Sequence, residues 1–236
     1  MPIDIVDLLE EIAGLVTGAI ALLAAYRSLM IGRSLVTRVY RTRAYWLTVL
    51  MVIFAVLGIL PTYTSLETDI SNIFFFAFLV ALLVFIDSNV AVAKEIDFFH
   101  KDILHWNMVR IPLLVIVVAY TAVASVASFL GLSTTITGVG VIGYIVVAGA
   151  AFSYSGAAMF VIARKTYDRT MKKFVKMLGF AVLFWVLFLT LFIPLDVIYP
   201  SLGDVVTSYI AIAAAYFFYR AAMSLSMVGR IVKEAF

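Results

Sequence analysis

Residues 164–173 read RKTYDRTMKK, and they separate two long apolar runs. Before them, 136–163 reads ITGVGVIGYIVVAGAAFSYSGAAMFVIA; after them, 174–198 reads FVKMLGFAVLFWVLFLTLFIPLDVI. A helix that crosses a bilayer needs roughly 20 apolar residues, because it rises about 1.5 Å per residue through hydrocarbon about 30 Å thick. Both runs meet that length. A cluster of five cations cannot rest in hydrocarbon, so this segment turns at one membrane surface.

The same pattern recurs in both directions. Apolar runs cover 8–31, 44–61, 70–92, 109–130, 136–163, 174–198 and 205–227, and short segments join them. The expected fold is therefore all-α, a polytopic integral membrane bundle of seven transmembrane helices, with 1–236 as a single domain. The composition agrees. The chain is 65% hydrophobic and 13% charged, with a mean hydropathy of +1.13. A soluble chain of this size carries about 25% charged residues.

Charge sets the orientation. All 17 lysines and arginines fall around alternate connections or toward the C-terminus. Arg27, Arg33, Arg38, Arg41 and Arg43 surround the first connection, and Lys94, Lys101 and Arg110 the third. Six more surround the fifth, and Arg220, Arg230 and Lys233 lie toward the C-terminus. The other connections and the N-terminus hold acids instead, among them Asp4, Asp7, Glu10, Glu11, Glu67, Asp69, Asp196 and Asp204. Cytoplasmic loops collect Lys and Arg, so the N-terminus is expected outside and the C-terminus in the cytoplasm. The acidic start also argues against a cleaved signal peptide, which begins with positive charge. The formal net charge of +3 thus conceals a basic inner face. That face reads as an orientation signal and a contact for anionic lipid headgroups in the cell membrane, not as a nucleic-acid site.

Chemistry is thinly written. There is no cysteine, which excludes disulfides and thiolate catalysis. Glutamine is absent too, a composition shared by proteins from hot environments and by membrane proteins in general. His100 and His105 would stand about 140° apart on one helix, and no zinc, phosphate-loop or nucleophile motif occurs. No metal, cofactor or enzymatic activity is expected. Seven helices with an external N-terminus match the topology of microbial rhodopsins. Their retinal requires a lysine in the last helix, and 205–224, VVTSYIAIAAAYFFYRAAMS, has none.

Three charges lie within apolar runs: Arg27, Asp87 and Arg220, with Arg110 at the base of the fourth. A charge in hydrocarbon costs about 2.5–3.5 kcal/mol on insertion scales, so it pairs, faces water or snorkels. Asp87 is the natural counter-ion for these arginines. Tyr144, Ser153, Tyr154, Ser155, Tyr209, Tyr216, Tyr219 and Ser224 either line a polar cavity near it or bond between helices. Small residues mark helix-packing faces: Gly14 and Gly18 as a G-x-x-x-G, then Gly149, Ser153 and Gly156. Such faces serve internal packing or a homo-oligomer. Two functions follow as expectations. One is a receptor-like or scaffold subunit that meets a protein partner through its basic cytoplasmic face. The other is a small solute or ion carrier built on Asp87, Arg27 and Arg220.

Overall fold

The computed structural model describes residues 5–35, 38–63, 134–167, 169–198 and 200–234, together with separate positions between 78 and 126. All of its regular structure is helical. The five long helices are α1 (Ile5–Ser34), α2 (Arg38–Tyr63), α3 (Thr134–Lys165), α4 (Arg169–Ile198) and α5 (Pro200–Glu234). The described positions at 78–88 and 108–126 are helical as well.

Every one of these helices outruns its apolar stretch. α2 starts at Arg38 rather than at 44, and α4 at Arg169 rather than at 174. Hydropathy marks what hydrocarbon covers, whereas a helix continues as long as its backbone bonds are met. Arg, Lys, Tyr and Thr carry no penalty that would stop it. Arg38, Arg41 and Arg43 therefore stand on the first turns of α2 and not in a loop. The turns that remain are tight. Leu35 N–H and the Ser34 hydroxyl both donate to the Ile31 carbonyl, at 3.1 and 2.9 Å. Thr166 N–H and Oγ1 do the same to Ile162, each at 2.9 Å, so one carbonyl near the end of each of α1 and α3 is satisfied. Pro200 opens α5, where its missing N–H costs nothing.

α1 and α2 form an antiparallel hairpin whose register is fixed by glycine. Gly18 lies beside Ile59 and Gly32 beside Tyr45, so numbers rise along one helix as they fall along the other. α3 and α4 pair in the same sense, with Gly156 against Val182 and Gly179 under the Phe160 ring. α5 packs on α4 and also on α1, which closes the bundle between the first and last helices. At its centre lies the segment 78–88, where Phe78, Leu82, Phe85 and Ile86 are buried. Their spacing is one face of a helix. Phe78 stacks on Phe54 at 5.0 Å between ring centres, and Trp185 meets both, at 5.0 and 5.4 Å. Phe218 of α5 meets Phe54 edge-on at 6.2 Å. α2, 78–88, α4 and α5 thus join in one aromatic layer.

The surface is the reverse of a soluble protein's. α1 buries Ala13, Ala21, Ala24 and Ala25 and exposes Leu8, Ile12, Leu15, Leu22 and Met30. Between 108 and 126, Ile111, Val115, Ile116, Val123 and Val126 are all exposed. Small residues inside let helices approach, and large apolar residues outside need lipid. Four helices, over Leu8–Ser34, Tyr40–Ile59, Arg169–Leu191 and Val205–Ser226, are long and apolar enough to cross a membrane. The chain is a membrane protein.

Candidate functional site

Of the four charges expected to cluster, Asp87 and Arg110 lie outside the described residues. Arg27 and Arg220 are placed, and both are exposed on the outside of the bundle. Arg220 Nη1 donates to the Tyr216 hydroxyl at 3.3 Å, and its guanidinium carbon sits 5.9 Å from that ring's centre.

Among the described residues, the arginine that reaches inward is Arg43. It is half-buried, and its Nη1 donates to the Ser88 hydroxyl, which in turn donates to the Phe85 carbonyl at 3.1 Å. Arg43 and Ser88 lie on helical segments that also meet at Phe54 and Phe78. The two contacts have antiparallel register, and both segments run about 15 Å from the aromatic layer to this link. Arg43 stands three residues inside the start of the apolar stretch Tyr40–Ile59, so the link lies toward one end of that stretch. Sequence reading placed Arg43 among loop residues. The missed signal was the shortness of the connection before it, which puts Arg43 within the first turns of a helix.

Basic side chains gather at helix ends. Arg33, Arg38 and Arg41 are exposed around the α1–α2 turn. At the α3–α4 turn, Arg164, Lys165, Arg169, Lys172 and Lys176 are exposed, with Tyr167 at 91% exposure between them. From Trp185 back to Lys176 is about 13 Å along α4, and Arg164 stands at the same end of α3. A helix C-terminus carries partial negative charge, which the cations of Arg33, Arg164 and Lys165 offset.

Polar groups inside the bundle are mostly spent on their own helices. Ser155, Thr207 and Ser224 are buried and donate to the carbonyls of Ala151, Gly203 and Ala221 at 2.8, 2.8 and 2.6 Å. This back-bonding is how a hydroxyl enters an apolar interior without a loss. Thr48 on α2 bonds its own Ala44 carbonyl at 2.9 Å and lies 3.5 Å from the Ala25 carbonyl of α1. Ser153, Tyr209 and Tyr216 face outward. These side chains do not converge on one cavity among the described residues. Thr17 Oγ1 and Ser28 Oγ of α1 are buried without a hydrogen-bond partner among the described residues. No group of three His, Cys, Asp or Glu that could hold a metal occurs among the described residues. His100 and His105 lie outside them.

The glycine faces have distinct neighbours. A Cβ on Gly58 would stand 3.0 Å from the Gly14 carbonyl oxygen and 3.1 Å from Gly18 N. One on Gly18 would meet the Ile59 side chain, with Cδ1 at 2.8 Å. Gly14 and Gly18 therefore lie against α2 of the same chain, and Gly58, overlooked in the sequence, completes the contact. A Cβ on Gly156 would lie 3.4 Å from Val182 Cγ1, an ordinary contact, and one on Gly149 would meet no described atom within 4 Å. Comparison with family models, curated proteins and solved structures finds no match to the chain.

Proposed function

We propose that the protein is a multi-pass subunit of the cell membrane that works without catalysis, as a receptor-like or scaffold component. It crosses seven times, with its N-terminus outside and its C-terminus in the cytoplasm. What supports two of those crossings, beyond the five long helices, is that the described positions at 78–88 and 108–126 are helical. Its working surface is the basic cytoplasmic face. The observation that carries this reading is the platform at the α3–α4 turn, where five exposed cations surround an almost fully exposed Tyr167. Cations in that density attract anionic headgroups at about 1 kcal/mol each and suit an acidic protein surface. The test is to purify the native protein in lipid nanodiscs, with and without Arg164→Gln, Lys165→Gln, Arg169→Gln and Lys172→Gln together. A stoichiometric partner that is lost from the quadruple variant supports the subunit. A partner retained by that variant, or none in the native protein, ends it.

A second reading is favoured by one observation, the inward-turned Arg43 bonded to Ser88. Ser88 follows Asp87 in sequence, so a solute or ion carrier would use Arg43, Asp87 and Ser88 at the cytoplasmic edge of the bundle. Arg27 and Arg220, exposed outside, fit that carrier less well. Solute-dependent thermal stabilisation that Arg43→Gln abolishes would support the carrier over the subunit.

A further inference from the structure

Arg220 is a cation on the outside of the bundle near the middle of an apolar stretch. That stretch is Val205–Ser226, and Tyr216 stands close to its midpoint. Both described contacts of Arg220 are to Tyr216, one turn back: the 3.3 Å hydrogen bond and the ring beneath the guanidinium. An arginine escaping from hydrocarbon extends toward the nearer surface, here the Ser226 end. These contacts hold Arg220 the other way, toward the bilayer centre, which is also the direction in which helical side chains lean. A tyrosine hydroxyl accepts one of five N–H donors and supplies no negative charge. Tyr209, Tyr216 and Arg220 share one face of α5, and all three are exposed. The opposite face, with Ala214, Phe218, Ala221 and Leu225, is buried in the bundle.

We infer that the Tyr209–Tyr216–Arg220 face of α5 docks a transmembrane helix of another protein, one that carries an aspartate or glutamate in the middle of its apolar run. This rests on the subunit reading, and it names a partner surface distinct from the basic cytoplasmic face. Charge decides the occupant. A lipid phosphate sits at the bilayer surface, about 15 Å from the centre, beyond the reach of a guanidinium drawn inward. A second copy docked by two-fold symmetry sets Arg220 against Arg220. The four candidate spans found among the described residues offer a second copy no carboxylate at that depth: three contain no acid, and Glu10 and Glu11 stand near the start of Leu8–Ser34, while Asp87, within the apolar run 70–92, is expected to be taken by Arg43 of its own chain. A carboxylate on a foreign helix completes the guanidinium's hydrogen bonds and cancels its charge. The tyrosines on either side would then pack on that helix.

The probe is a synthetic transmembrane peptide of leucine and alanine with one central glutamate, beside a version with glutamine there. Full-length protein in phosphatidylcholine vesicles is titrated with each labelled peptide and followed by energy transfer. The glutamate peptide is expected to associate about tenfold more tightly than the glutamine peptide. Arg220→Gln removes that difference and Arg220→Lys keeps part of it. Among the described residues both contacts of Arg220 are to Tyr216 of its own helix, so Arg220→Gln is expected to melt with the wild type. Equal association of both peptides overturns the inference, as does a preference that survives Arg220→Gln. Wild-type self-association that Arg220→Gln abolishes overturns it in favour of a second copy. Because the peptide replaces any native partner, this outcome is independent of the copurification test. A selective peptide with no native partner sinks the subunit and leaves the face standing.

Discussion

Replacing Gly58 by alanine is expected to weaken the α1–α2 contact, although alanine is the better helix former. The added Cβ would stand 3.0 Å from the Gly14 carbonyl oxygen and 3.1 Å from Gly18 N. Ordinary contact begins at about 3.4 Å, so α1 must withdraw by a few tenths of an ångström. Both obstacles are backbone, so no rotamer change relieves them. Overpacking of this kind costs about 1–3 kcal/mol, and the gain in helix propensity offsets about 0.8–1.0 kcal/mol. Gly58→Ala should therefore lose between nothing and about 2 kcal/mol. Gly156→Ala is the internal standard, because its Cβ meets Val182 at an ordinary 3.4 Å and only the gain remains. At about 2–4 °C per kcal/mol for a chain of this size, Gly58→Ala should melt about 2–12 °C below Gly156→Ala. Gly18→Ala should fall between them. Its obstacle is the Ile59 side chain, which can yield at about 0.5–1.5 kcal/mol. Melting in detergent, followed by tryptophan fluorescence, gives the order. Gly58→Ala melting level with or above Gly156→Ala would refute the close helix approach.

The remaining predictions concern other parts of the bundle. In intact cells, an impermeant thiol reagent should label Ser133→Cys and spare Tyr167→Cys. The reverse result inverts the topology. Asp87→Asn should lower stability by about 3–5 kcal/mol if the carboxylate is paired, and adding the correct arginine variant should recover part of that loss. Among Arg27→Gln, Arg43→Gln, Arg110→Gln and Arg220→Gln, the expected rescuer is Arg43→Gln, since Arg43 already bonds Ser88. Strict additivity with all four would dismiss the pair. Phe78→Ala should cost about 3–5 kcal/mol, because Phe78 is wholly buried between Phe54 and Trp185. A loss below about 1 kcal/mol, read by the same melting assay, would mean that the aromatic layer is not packed.

The helices were legible because hydrocarbon demands long apolar runs, and a run such as 174–198 has no other use. Helix ends were not legible from the same signal. Arg38–Arg43 and Arg169–Lys173 are polar yet helical, since the backbone hydrogen bonds continue past the membrane surface. The G-x-x-x-G of Gly14 and Gly18 showed that a close contact exists, but not what it meets. Gly58 has no second glycine at helical spacing in α2, and only the register of the hairpin brings it opposite. Intramembrane charge was also half legible. Depth follows from counting along a run, which singled out Arg27 and Arg220. Direction depends on which arc of a helix faces its neighbours, and there both proved to lie outside. Arg43, outside the apolar run by count, is the one that turns in.

The packing of α5 on α1 has a consequence for biosynthesis. The ribosome extends a chain by about 5–20 residues per second. α1 is complete at Ser34, and α5 only begins at Pro200. For roughly 8–33 s, then, the buried side of α1 is in the bilayer before its last neighbour exists. The buried residues of α1 include Thr17 and Ser28, whose hydroxyls have no hydrogen-bond partner among the described residues. A nascent chain stalled before α5 thus leaves part of the buried side of α1 uncovered in the membrane, which distinguishes it from a completed bundle.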